Sequence, residues 1–163
     1  MGRWASFVLT KDRELYLPDS DSHQEIVSHF GIHADGARCP NNINVEIYPG
    51  PLATALDDWP NWVFHIDQDI TPEWAPRGDA GAMAEIESRT RAALLRRAKE
   101  GFTRLDARGC TALTSIEAPQ ATTLYADGCT ALTSIGAPQA TYLDARGCTA
   151  LKIKPHKGLR ICR

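Results

Sequence analysis

Residues 106–152 read DARGCTALTSIEAPQATTLYADGCTALTSIGAPQATYLDARGCTALK, nearly the same phrase three times. Aligned copies run Phe102-x-x-Leu105-x-Ala107-x-x-Cys110-x-x-Leu113, then Ala121 to Leu132, then Ala140 to Leu151, with a period of 19 residues. A single turn this short cannot bury its own apolar face, so only the stacking of successive turns gives it a core. The period therefore predicts a short solenoid of about three turns over 102–163. Alanine often stands where a bulkier residue could, which implies a slim coil. Both ends of such a stack need covers. A helix preceding the repeats suits the first. At the other end Lys152, Lys154 and Pro155 break the register, and Leu159 and Cys162 reappear one period after Ala140 and Leu143. Residues 152–163 are expected to close the stack as a half-turn.

The LxxLxLxxCxxL spacing of these copies resembles the leucine-rich repeat in its cysteine-containing form. That resemblance implies one parallel strand per turn, while the small core residues also suit a plain β-solenoid. Cys110, Cys129 and Cys148 recur in step and are expected to form an inward, reduced ladder. The chain has five cysteines, an odd number, and none of the spacings of a zinc site, so neither a disulfide framework nor a metal or other cofactor is expected.

The copies disagree at the outward positions. Stacking sets Arg104 beside Thr123 and Tyr142, Asp106 beside Tyr125 and Asp144, and Arg108 beside Asp127 and Arg146. Parallel strands lie about 4.8 Å apart, so Arg108, Asp127 and Arg146 are expected to satisfy one another as a ladder. The same eight residues form a candidate partner-binding face, since solenoids bind through this surface.

Ahead of the repeats, Trp4–Leu9 and Glu14–Leu17 read as a hairpin across a polar turn. Ser22 and Glu25 have capping-box spacing, and Ile26, Val27 and Phe30 follow at helical intervals, predicting a helix over about 22–30. Asn42–Tyr48 and Trp62–Ile70 alternate as half-buried strands. Asp79–Glu100 is the longest helical segment, with acidic residues early and Arg96, Arg97 and Lys99 late. The expected class is α+β. A small sheet domain (1–78) leads to a connecting and capping helix (79–101) and then to the repeats (102–163).

The net charge of −2 conceals a division. Residues 1–88 carry 5 basic and 15 acidic side chains, net −10; residues 89–163 carry 13 and 5, net +8. Two halves that attract each other explain this, and so does a nucleic-acid surface along Arg89, Arg91, Arg96, Arg97, Lys99 and Arg104. Those basic positions are spread around the helix without interleaved aromatics, which favours a plain charged, solvated helix over a nucleic-acid surface.

Catalytic candidates are few. On the second alternating strand His65, Asp67 and Asp69 share a face, and Glu46 joins it if the 42–48 strand lies alongside. One histidine with three carboxylates suits metal-assisted hydrolysis or transfer, or acid–base work. Alternating polar residues are also what any solvated sheet face shows. His23 and His29 read as surface or capping residues, and Cys39 as a loop thiol with His33 as a sequence neighbour. There is no phosphate-cradling glycine loop and no serine elbow. No apolar run approaches the roughly 18 residues needed to span a membrane, and the N-terminal apolar stretch is too short for a signal peptide. A cytoplasmic location is expected.

The first 75 residues, with PDSDSHQEIVSHFGI, VEIYPGP and WVFHIDQDITPEW, are similar to small phage and prophage proteins in which an α/β domain precedes a degenerate repeat tail. That resemblance implies a bacterial host cell and a bacterial host factor as partner. The expected function is a non-enzymatic protein-binding module, such as an inhibitor of a host defence system of the CRISPR kind. Metal-assisted chemistry at His65, Asp67, Asp69 and Glu46 is the alternative, and nucleic-acid binding through the basic helix the second.

Overall fold

A computed structural model of the chain describes residues 5–32, 41–68, 71–75 and 80–163. The chain forms two compact units, one from Met1–Tyr48 and Phe64–Lys99, the other from Pro49–Val63 and Glu100–Arg163. The α+β class is as the sequence implies.

The first unit is built on strands β1 (Ala5–Leu9), β2 (Glu14–Leu15), β3 (Ile43–Pro49) and β4 (Trp62–Ile66), in the sheet order β2-β1-β3-β4. β1 pairs antiparallel with β2 and with β3, setting Ser6 opposite Glu46 and Val8 opposite both Leu15 and Asn44. Helix α1 (His23–His29) begins as its sequence predicts: the Ser22 side chain accepts from the Glu25 amide. Its Ile26 packs on Val8 and Leu15, with Leu17, Val27, Phe30 and Ile32 around them. Phe7 points to the other face, where the guanidinium of Arg97, on helix α2 (Ala80–Glu100), lies 5.9 Å from its ring centre and 5.6 Å from that of Tyr16. The strand expected to reach residue 70 ends at Ile66, and β2 stops at Leu15. Trp4, His33, Cys39, Asp69, Ile70 and Asp79 lie outside the described residues.

The second unit is a β-solenoid. Parallel strands β5 (Arg104–Asp106), β7 (Thr123–Tyr125), β9 (Tyr142–Asp144) and β10 (Arg160–Cys162) form one sheet in the order β10-β9-β7-β5. Strands β6 (Ser115–Glu117) and β8 (Ser134–Gly136) form a second, parallel two-stranded sheet. The turns that begin with β5 and β7 thus each carry a strand on two sides. Leu105, Leu124 and Leu143 are buried from the first sheet, Ile116 from the second, and Leu113, Leu132, Ala107 and Ala126 fill the space between.

Side chains also bond turn to turn. The thiol of Cys129 donates to the Ala107 carbonyl at 2.8 Å, that of Cys148 to Ala126 at 2.9 Å, and that of Cys110 to Pro49 at 3.8 Å. Threonines do the same at two corners: Thr141 to Thr122 and Thr122 to Thr103, Thr133 to Thr114 and Thr114 to Thr54. Pro49 and Thr54 thereby occupy the positions of a preceding turn, so the segment Pro49–Val63 supplies the first edge of the stack. Gly109, Gly128 and Gly147 take left-handed φ values of 76°, 76° and 74°, which a side chain would resist at every turn.

Among the described residues, no helix is long and apolar enough to cross a membrane.

Candidate functional site

The outward face of the four-stranded sheet collects the variable positions in the expected register. Arg104 pairs with Thr123 and Thr123 with Tyr142; Asp106 pairs with Tyr125 and Tyr125 with Asp144. The stack extends one strand further, with Arg160 beside Tyr142 and Cys162 beside Asp144. Tyr125 is the centre of the face. The Arg104 and Arg108 guanidinium carbons lie 5.1 and 5.6 Å from its ring centre, and the Tyr142 ring is 5.6 Å away. These are cation–π and tilted aromatic contacts on a partly exposed surface.

Two expectations about this face are corrected. The side chains of Arg108, Asp127 and Arg146 do not bond one another along the stack. Each arginine turns back onto the aspartate two residues earlier: Arg108 clasps Asp106 with Nε and a terminal nitrogen, and Arg146 holds Asp144 at 2.9 and 2.7 Å. A fork that meets both oxygens of one carboxylate is stronger than a single bond to a neighbouring turn. Asp106 and Asp144 are buried beneath their arginines, whose side chains stay 47% and 60% exposed. The Arg146 hydrogen bond holds the Asp144 carboxyl below its usual range. Asp127 attracts both arginines from between them without bonding either.

Cys162 is the second correction. Ile161, not Cys162, takes the place one turn beyond Leu143. The final turn is one residue shorter than the repeat, so Cys162 faces outward, with its sulfur 3.6 Å from the Tyr142 hydroxyl.

The first unit holds the catalytic candidates. Asp67 N donates to Asn44 O and Gly50 N to Asn61 O, an antiparallel register that sets Glu46 across from His65. Glu46 and Asp67 come together as the alternation implies, and His65 lies on the same face. The residue missed from sequence is His23. Its Nδ1 is 3.3 Å from an Asp67 carboxylate oxygen, and its Nε2 is 3.0 Å from the Val45 carbonyl oxygen. Burial, then the Asp67 charge, pushes the Glu46 carboxyl up, while His23 and His65 pull it back. Only the contact between α1 and the sheet brings His23 here, and no spacing in the chain signals it.

The basic helix is largely neutralised by its own unit. Arg89 and Arg96 both reach Glu14, at 2.7 and 3.0 Å, Arg97 reaches Asp21 at 2.8 Å, and Arg91 pairs with Glu87 one turn earlier. All four pairs join residues 1–88 to residues 89–163, so attraction between them accounts for part of the charge division. A phosphate backbone would have to displace those carboxylates. Comparison of the chain with protein-family models, curated proteins and solved structures finds no match.

Proposed function

We propose that the chain is a non-enzymatic protein-binding module whose contact centre is the outward face of the four-stranded solenoid sheet. The observation that carries this reading is Tyr125, held between Arg104 and Arg108 and beside Tyr142. Tyrosine and arginine are the residue types that concentrate binding energy at protein interfaces. Arg108 and Arg146 keep Asp106 and Asp144 satisfied while staying about half exposed, so an acidic or carbonyl-rich partner surface meets prepared partners. The backbone beneath is fixed by parallel pairing, which lowers the entropy lost on binding.

Four strands about 4.8 Å apart span about 14 Å, and strands of three residues run about 10 Å, so the sheet face covers about 140 Å², well below the roughly 800 Å² per partner of a standard interface. The face is thus the centre of a contact that extends onto flanking turns. Following the resemblance of the first 75 residues to phage proteins, a bacterial host factor, such as a defence-system protein of the CRISPR kind, is the partner class to screen. The test is paired capture with wild type and a Tyr125→Ala, Tyr142→Ala double variant, both confirmed folded by circular dichroism. A protein held by the first and released by the second supports the reading, and identical capture by both refutes it.

A further inference from the structure

Three side chains far apart in sequence converge on the α1 side of the first unit's sheet. One ligand atom each from His23, Glu46 and Asp67 lies within 4.8 Å of the others. The His23 side chain is only 11% exposed, and its ring orientation is set by the 3.0 Å contact of Nε2 with the Val45 carbonyl. A carbonyl oxygen only accepts, so Nε2 carries a proton there. Nδ1 is then the nitrogen that faces the Asp67 carboxylate, 3.3 Å away.

An imidazole whose one N–H is anchored on a backbone carbonyl, while the other nitrogen faces anionic oxygens, is oriented as ligands of divalent ions are. The spacing agrees. Tetrahedral bonds of about 2.0 Å place neighbouring donors about 3.3 Å apart, and His23 Nδ1 lies 3.3 Å from the Asp67 oxygen. Glu46 closes the remaining distance by side-chain rotation. Its half-buried carboxylate, crowded by Asp67, gains more from a cation than a solvated one would. The imidazole nitrogen is the discriminating donor: calcium and magnesium favour all-oxygen shells, whereas a nitrogen with two carboxylates suits an ion of the zinc class. His65, across the ladder from Glu46, flanks the open side.

We propose that His23, Glu46 and Asp67 form a binding site for one divalent transition ion of the zinc class, with His65 bordering its open coordination position. This inference is independent of the solenoid face.

The test titrates the full-length chain with Co²⁺, followed by absorbance, and with Zn²⁺, followed by calorimetry. One ion per chain is expected, with nitrogen–oxygen cobalt bands and no thiolate charge-transfer absorption. Asp67→Asn and His23→Gln are each expected to weaken binding at least 10-fold; the glutamine amide can still donate to Val45. Should His23→Gln fail to fold, Asp67→Asn at its exposed position decides alone. No stoichiometric binding, thiolate-ligated cobalt, or affinity unchanged in Asp67→Asn would overturn the proposal and leave His23 as a structural link between Val45 and Asp67.

Discussion

The thiol of Cys129 donates a hydrogen bond to the carbonyl of Ala107, one solenoid turn back, at 2.8 Å. The most repetitive residue of the chain thus both fills the core and joins consecutive turns. Burial pushes this thiol up to about 12, so at pH 8 about one molecule in 10⁴ carries the reactive thiolate. Native Cys129 is expected to resist iodoacetamide for as long as the chain stays folded, and to react in urea. Cys129→Ala removes packed sulfur and one of two donors to the Ala107 carbonyl, which keeps the Cys110 amide at 3.2 Å; the cost, about 1–2 kcal/mol, is read from the urea midpoint.

The Asp144–Arg146 pair predicts a pH signature. The Asp144 carboxyl is held low in the folded state, chiefly by the arginine hydrogen bond. A depressed carboxyl stabilises the fold above its unfolded value of about 3.9, and the contribution fades as pH falls through the folded one. Arg146→Gln is therefore expected to be less stable than wild type at pH 7, with the difference shrinking below about pH 4. Thermal melts across pH 2–7 check this, and a constant difference over that range would count against the pair.

Asp21 and Arg91 separate a buried ion pair from a surface one. Arg97 is 1% exposed and bonds Asp21 at 2.8 Å, whereas Arg91 and Glu87 are both partly exposed one helical turn apart. Asp21→Ala removes the carboxylate bonded to a buried guanidinium and should cost about 3–5 kcal/mol. Arg91→Ala should cost about 0.3–0.5 kcal/mol. Chemical denaturation of the two variants compares them directly.

At Gly128 the left-handed backbone, φ 76°, predicts that Gly128→Ala costs about 1–2 kcal/mol. The added methyl meets only ordinary contacts with Gly109 at 3.7 Å, so the loss is conformational. A differential unfolding measurement near zero would show that the turn relaxes.

What was legible followed from periodicity. A strict 19-residue repeat dictates which residues stack, so Arg104, Thr123 and Tyr142, and Asp106, Tyr125 and Asp144, could be paired before any coordinates. Ser22 and Glu25 likewise announced the start of α1 because a cap is a local interaction. Where the period lapsed, so did the reading. The turn through 152–159 loses one residue, which moved Cys162 from the core to the surface. Three-residue strands such as Ser115–Glu117 are too short to show an alternation. Thr54 and Pro49 lie outside the repeat yet bond as its preceding turn. Arg108 and Arg146 chose same-turn aspartates because bidentate geometry outweighs stacking order, and His23 met Asp67 through a helix–sheet contact that no local pattern encodes.

The central claim is that Tyr125 and Tyr142 anchor a protein partner. Its most direct measurement is quantitative capture from bacterial lysate, comparing wild type with the folded Tyr125→Ala, Tyr142→Ala variant and with Asp67→Asn as a control in the other unit. The account predicts a partner retained by wild type and Asp67→Asn and lost at least 10-fold by the double variant, which is the effect of about 1.4 kcal/mol or more of hot-spot energy. Equal retention by all three proteins would contradict it.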